Sequence, residues 1–331
     1  MTADSTPEQL EHAFRASEAA GGTGRGAMRR RLLPDTELDV FTEVRFPSRD
    51  WALLVNSNEQ LGDRDLVLTA GLTCRTRSGS VEVVAEPQTE RLLFCTLLVD
   101  LISQLEQSGS APATALVHRL TAWQRMLSRG LPTGLGSEAR IGLYGELLVL
   151  REIVLPSIGS DAIAAWVGPS AAPQDFVHLS AAVEVKTVSR RDPDRCRISS
   201  EKQLDTTGHA VLFLVHQSLS PTPEGSTLQE LIDELRGDLY VNSDPLSFEN
   251  SLLEAGWLDA HRGQYVNDRY ALTRRRCYSV VEGFPRIIPN VLPAGVSEVS
   301  YLVNLATCTS FRVDEGVVQE SLMRAGDLVE E

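Results

Sequence analysis

Glu184 and Lys186 stand two residues apart in Val183-Glu184-Val185-Lys186, a β-branched run that reads as a strand. A strand's period of two projects both side chains from one face and leaves Val183 and Val185 in the apolar fabric. Asp175, in Ala172-Pro173-Gln174-Asp175-Phe176, opens the preceding strand, with Ser180-Ala181-Ala182 as the turn between them. Asp175, Glu184 and Lys186 are then expected to converge on one point. Two carboxylates and the Val185 carbonyl are hard oxygen ligands suited to Mg²⁺ or Mn²⁺, and an adjacent ammonium can orient a water or stabilise charge on a phosphoryl oxygen. That is the chemistry of phosphodiester hydrolysis.

The use of lysine singles out the same position. Of 31 basic residues only two are lysine, Lys186 and Lys202. A chain that writes Arg almost everywhere a surface cation will do keeps Lys where a planar guanidinium cannot replace a compact ammonium. Glu184-Val185-Lys186 is also the only Glu-x-Lys triplet in the chain.

Asp175 followed by Glu184-Val185-Lys186 on a hydrophobic strand resembles the active-site signature of the PD-(D/E)XK nuclease superfamily, the fold of restriction endonucleases. The upstream segment Ile141-Gly142-Leu143-Tyr144-Gly145-Glu146-Leu147 resembles the Gly-Glu helix that contributes a further acidic residue there. One departure is visible: Pro173 lies two residues before Asp175, with Gln174 between them. A β-rich N-terminal half and the C-terminal Phe284-Pro285-Arg286 resemble a bacterial family of PD-(D/E)XK motif proteins whose relatives accompany phage-defence genes. The motif match itself covers roughly residues 137–217.

The resemblance implies roles. Asp175 and Glu184 would bind the metal with the Val185 carbonyl, Lys186 would position the attacking water, and Glu146 would hold a second ion or steer the first. Gln203, beside Lys202, would be the polar helper residue. The implied fold class is α/β of the mixed α+β kind: a restriction-endonuclease-like core with an N-terminal β-rich domain and a mixed C-terminal subdomain.

The elements that must position these groups can be read along the chain. Residues 1–30 read as a helix, opened by the capping box Thr6-Pro7-Glu8-Gln9, and a flexible linker at Gly21 to Gly26. Residues 31–130 read as alternating strands from Leu38 to Ala85, then helices at about 88–107 and 112–128. Residues 131–220 hold the core: a helix capped by Ser137 that carries Glu146, two strands, a short helix from Ser199 to Thr206 and a strand from His209 to Val215. Gly142, four residues before Glu146, is expected to let that helix pack closely on the sheet. A glutamate buried there calls for a metal or an arginine opposite it. Residues 221–331 read as mixed: helices opened by Ser226 with Gln229 and by Asp244-Pro245, and strands at about 265–272, 277–281 and 296–305.

Composition bounds the function. A net charge of -14 opposes long-range attraction to phosphate, so DNA binding must rest on local cations or on a partner that delivers the DNA. Arg190, Arg191, Arg195 and Arg197 follow the catalytic strand and, with Lys202, are the expected phosphate contacts; Arg29 to Arg31 and Arg274 to Arg276 are further runs, the latter interrupting a strand-like stretch. Five scattered cysteines argue against a disulfide framework, and no run approaches a membrane span, so a reducing cytoplasm is expected. Six histidines lack zinc-hydrolase spacing, and no Walker loop is present, so ATP dependence would come from a partner such as an ATPase or helicase of a defence system. The competing expectation is a catalytically silent module that keeps the fold to bind DNA or a partner protein.

Overall fold

Thr6 and Gln9 cap the first helix, α1 (Pro7–Ala20), reciprocally: the Thr6 hydroxyl accepts from the Gln9 N–H while the Gln9 side chain accepts from the Thr6 N–H. The capping box legible in the sequence thus satisfies donors that a helix N-terminus leaves open. The computed structural model describes residues 6–21, 24–34, 36–107, 111–130, 134–189, 194–242 and 244–327. The chain divides into two units, 1–132 and 133–331.

In the first unit β1 (Gly26–Leu32), β2 (Asp39–Phe46), β3 (Trp51–Asn56), β4 (Arg64–Thr69), β5 (Leu72–Arg77) and β6 (Ser80–Ala85) form an antiparallel sheet in the order β1-β2-β3-β6-β5-β4. Helices α2 (Arg91–Gln107) and α3 (Pro112–Ser128) follow. Phe14 of α1 stacks on Trp51 of β3 with ring centroids 4.6 Å apart. Arg29 to Arg31, the first of the further basic runs, lie in β1 opposite Glu43, Thr42 and Phe41, where Arg29 pairs with the Glu43 carboxylate. The Arg29 charge is thus committed to the sheet.

The second unit begins with α4 (Ser137–Val149), which widens into a π turn at Leu150–Val154 and runs on into α5 (Leu155–Ile158); α6 (Ala162–Ala165) follows. Its N-cap is Gly136, so Ser137 is the first helical residue and not the cap. Then come β7 (Phe176–His178), β8 (Ala181–Val188), β9 (Arg195–Ile198), β10 (Val211–Thr227), α7 (Leu228–Asn242), α8 (Pro245–Glu254), β11 (Arg269–Ser279), β12 (Tyr301–Asn304), β13 (Arg312–Val313) and α9 (Glu315–Asp327). Five of these strands form a mixed sheet in the order β13-β11-β10-β8-β7, with β8 and β10 parallel and the other pairs antiparallel. β9 pairs with β12 in a separate ladder. This is a mixed α/β fold consistent with a restriction-endonuclease-like α+β core.

Strand β8 is buried on both faces from Ala181 to Val185, as a parallel strand inside a sheet requires. Val183 and Val185 join Phe213 and Val215 in a core with Leu143, Leu147, Ile232 and Leu235, whereas Ala182 and Leu214 pack with Cys196, Ile198, Tyr278 and Val303 on the opposite face. Each fully buried Val or Leu contributes about 1.5–3 kcal/mol.

Several local expectations shift. The β7–β8 turn is Leu179-Ser180, one step earlier than expected, because Leu179 takes the left-handed φ of 52° that a tight reversal needs. Residues 201–204 form successive turns, not a helix, with isolated bonds from Gln203 N to Ser200 O and from Asp205 N to Lys202 O. The cap of α7 is Thr227 with Glu230, one residue beyond Ser226, since β10 runs on to Thr227. Asp244 caps α8 as expected, accepting from Leu246 N and Ser247 N. Arg274 to Arg276 do not interrupt a strand; β11 runs through them. All five cysteines are free and buried, and no helix among the described residues is long and apolar enough to cross a membrane.

Candidate active site

Asp175 immediately precedes β7, and three backbone N–H groups fix it. Its carbonyl accepts from Val167 N and Gly168 N, both at 2.9 Å, and its side-chain Oδ2 accepts from Val185 N at 2.7 Å. The N–H and C=O of one strand residue point the same way, so the Val185 carbonyl is directed to the Asp175 side of β8, where β7 no longer pairs.

Glu184 and Lys186 project from the other face than Val185, as period-two geometry dictates. Lys186 Nζ lies 2.6 Å from Glu184 Oε1, with Glu184 wholly buried and the lysine side chain 18% exposed. Apart from Lys186, no group among the described residues bonds either Glu184 oxygen. A buried carboxylate so thinly compensated is costly.

Glu146 reaches the site from α4, and two glycines allow its approach. A Cβ on Gly145 would fall 1.7 Å from Thr187 Oγ1, so α4 can sit on β8 only with glycine there. A Cβ on Gly142 would meet nothing within 4 Å, so the close-packing glycine is Gly145 and not Gly142. A Cβ on Gly168 would lie 2.9 Å from Asp175 Oδ1 and 3.3 Å from Glu146 Oε2, which puts both carboxylates around one point. Glu146 Oε2 accepts from the Trp166 indole N–H at 2.9 Å, a partner in addition to the arginine or metal that the sequence suggested.

The groups titrate together. Burial first, then the nearby Asp175 charge, push Glu146 up to about 8 against the Trp166 hydrogen bond and Lys186. Burial pushes Asp175 up to about 6, opposed by Lys186 and the Val185 N–H. Burial and then Asp175 drive Glu184 well above the usual carboxylate range despite Lys186. Burial pulls the Lys186 ammonium down, but Glu184 and Asp175 outweigh it and hold its pKa above the ordinary lysine value. Three carboxylates facing one ammonium leave unbalanced negative charge, which a divalent cation would neutralise, reversing the carboxylate shifts.

The donor set therefore fits a hard divalent ion: hard oxygens, an under-compensated Glu184, and half-buried Glu146 and Asp175 at the rim. As placed, no three acidic, His or Cys groups among the described residues stand in chelating geometry. Binding would require the carboxylate side chains to turn.

The structure gathers Asp175, Glu184, Lys186 and Glu146 within electrostatic reach of one another. It does not gather all the other expected residues. Gln203 Oε1 accepts from Ser199 N at 2.8 Å and so closes its own turn. Lys202 is exposed on that turn. Arg195 and Arg197 are exposed on β9, with Arg197 Nε donating to Ser300 Oγ at 3.2 Å. Arg190 and Arg191 lie outside the described residues. Sequence reading passed over Trp166, Gly168 and Gln174; Gln174 is buried and donates to the carbonyls of Lys202 and Gln203 at 2.9 and 3.3 Å, tying that turn to the Asp175 segment. The one available signal was adjacency, since Gln174 precedes Asp175 where the motif usually has proline.

A family profile described as "Putative PD-(D/E)XK family member, (DUF4420)" matches residues 8–306. No curated protein and no solved structure matches the chain. The chain belongs to this PD-(D/E)XK family, which suggests a nuclease-type function and the divalent-metal chemistry that such nucleases generally use.

Proposed function

We propose that this chain is a metal-dependent endodeoxyribonuclease that hydrolyses phosphodiesters in the manner of restriction enzymes. The observation that carries the reading is Lys186 held 2.6 Å from buried Glu184, beside Asp175 and Glu146, on the strand where the family signature falls. Asp175, Glu184, Glu146 and the Val185 carbonyl would hold Mg²⁺ or Mn²⁺, which supplies charge neutralisation at the phosphoryl oxygens when bound. Lys186, at the rim, holds a proton donor towards water or phosphate.

Arg195, Arg197 and Lys202 are proposed phosphate contacts. The chain's net charge of -14 supports a partner that brings DNA to the site, such as an ATPase or helicase in a bacterial anti-phage system. Incubating the full chain with supercoiled and linear DNA, with Mg²⁺ or Mn²⁺ and with chelator, tests the reading. Chelator-sensitive cleavage lost in Lys186→Ala is expected. Metal binding or DNA binding with no cleavage, even when genomic neighbours are added, would assign the chain to the silent binding module instead.

A further inference from the structure

The face that carries Glu184 and Lys186 continues across the sheet. In register, Lys186 on β8 lies beside His216 on β10, and His216 lies opposite Arg276 on β11; two residues along, Ser218 lies opposite Arg274. Directly paired residues share a face, so these side chains form two adjacent rows leading away from Lys186. Strands lie about 4.8 Å apart, which puts Arg276 on the order of 10 Å from Lys186. That distance is roughly three nucleotides of rise along one strand of B-DNA.

Two observations mark this ledge as more than surface charge. His216 is 1% exposed, yet neither ring nitrogen has a hydrogen-bond partner among the described residues, and the buried Ser218 hydroxyl lacks one too. Buried polar groups are normally satisfied, so such a pair calls for a ligand or another explanation. The second observation is an anion already held there: Asp194 Oδ1 accepts from Arg276 Nη1 at 2.7 Å and from Arg274 Nη2 at 3.3 Å. That oxygen takes a single donor from each guanidinium, whereas the non-bridging oxygens of a phosphate can take more than one from each. Burial, then Arg274 and Arg276, hold the imidazole down at about 4, so near neutral pH it offers one N–H donor and one acceptor without charge.

We propose that His216, Ser218, Arg274 and Arg276 form a subsite for a flanking phosphate of the bound DNA strand, and that the Asp194 carboxylate occupies it in the free protein. This rests on the nuclease reading of Lys186. DNA displaces a half-exposed ion pair, whose hold is weak, and takes over both guanidiniums. The bound strand then runs from the Lys186 rim across β10 to β11.

The test measures binding of a fluorescent DNA duplex to the full chain by anisotropy, in Ca²⁺, across a salt series. Arg274→Gln with Arg276→Gln is expected to weaken binding and flatten the log–log salt slope by about 0.9 per lost phosphate contact. Asp194→Asn is expected to act in the opposite direction, tightening binding about two- to fivefold, the range of an exposed ion pair. Glu320→Gln, an exposed acid on α9, serves as the control for general charge. Weaker or unchanged binding in Asp194→Asn, or tightening no greater than that of Glu320→Gln, overturns the proposal, as does an unchanged salt slope in a folded double-arginine variant. If the arginine variant fails to fold, Asp194→Asn alone decides. Should no metal support cleavage while Asp194→Asn still tightens binding, the subsite stands and the nuclease reading falls.

Discussion

On the α4 side of the second unit's sheet, Gln217 donates to the Gly145 carbonyl at 2.9 Å and accepts from Arg275 Nε at 3.0 Å, while Arg275 reaches Glu152 at 2.7 Å and Glu315 at 3.1 Å. On the opposite side β8 carries Glu184, whose partner is Lys186, and β10 carries His216 and Ser218 with side-chain polar atoms that no described residue satisfies. Thr187 Oγ1, pressed against Gly145, and Arg140 Nε of α4 are exceptions on the α4 side. One face thus spends its polar groups on itself, and the other keeps them in reserve. A closed buried network fixes how α4 and α9 seat on the sheet, whereas an open one stores interaction capacity for a ligand.

The largest expected effect breaks the closed face. Arg275→Met should destabilise the second unit by about 3–5 kcal/mol, because it removes the donor that Gln217, Glu152 and Glu315 share and leaves the buried Gln217 oxygen without one, although Glu152 keeps Arg151. His216→Leu, at the same depth on the open face, should change stability by less than about 1.5 kcal/mol, as an apolar swap that removes an unsatisfied group. Urea unfolding of both variants settles the contrast. Equal losses would mean that His216 is a structural residue after all.

Next in size is chemistry on the open face. Lys186→Ala and Lys186→Arg should both cut the cleavage rate about 10²–10³-fold, the scale of losing one preorganised charge stabiliser. The guanidinium is too broad for a place 2.6 Å from a buried carboxylate oxygen. Near-native cleavage by Lys186→Arg, with an unchanged melting temperature, would remove the role given to the ammonium.

How much of this contrast was legible in the sequence depends on the kind of signal. Glu184 and Lys186 were readable because strand period and lysine scarcity are local facts. Thr6 with Gln9 and Asp244 before Pro245 were readable for the same reason. The α4 seat was misread as Gly142, since helix periodicity gives a face but not which glycine meets Thr187. The turns at 201–204 were misread as a helix because their geometry is set by Gln174 bonding to the carbonyls of Lys202 and Gln203 from 28 residues away. The row from Lys186 through His216 to Arg276 depends on which strands are neighbours, and β9 intervenes in sequence between β8 and β10 without joining their sheet.

Asp175→Asn is expected to lower Mn²⁺ affinity at least about tenfold, or 1.4 kcal/mol, with a much smaller change in melting temperature. Asparagine's carbonyl can still accept from Val185 N, so the β8 contact survives, but the charge that holds the ion does not. Calorimetry showing equal Mn²⁺ binding in the variant would mean that the chain holds its ion elsewhere.

The smallest expected effect tests how the carboxylate cluster is tuned. Asp175 and Glu146 hold protons up to about 6 and 8 in the folded chain, above their ordinary values of about 4, so the metal-free fold loses stability as pH rises from the ordinary carboxylate range to those values. A bound divalent ion must displace those protons, so its affinity should climb over the same pH range with measurable proton release. Trp166 is the donor that moderates Glu146, and Trp166→Phe keeps the aromatic bulk while deleting the indole N–H. A hydrogen bond worth about 1 kcal/mol, at 1.36 kcal/mol per pKa unit, should move the upper midpoint of Mn²⁺ affinity up by roughly 0.5–1 unit. Titrations in two buffers of different ionisation enthalpy report the proton count directly. A midpoint that stays put, or moves down, would show that Trp166 serves packing against Phe248 rather than the carboxylate it touches.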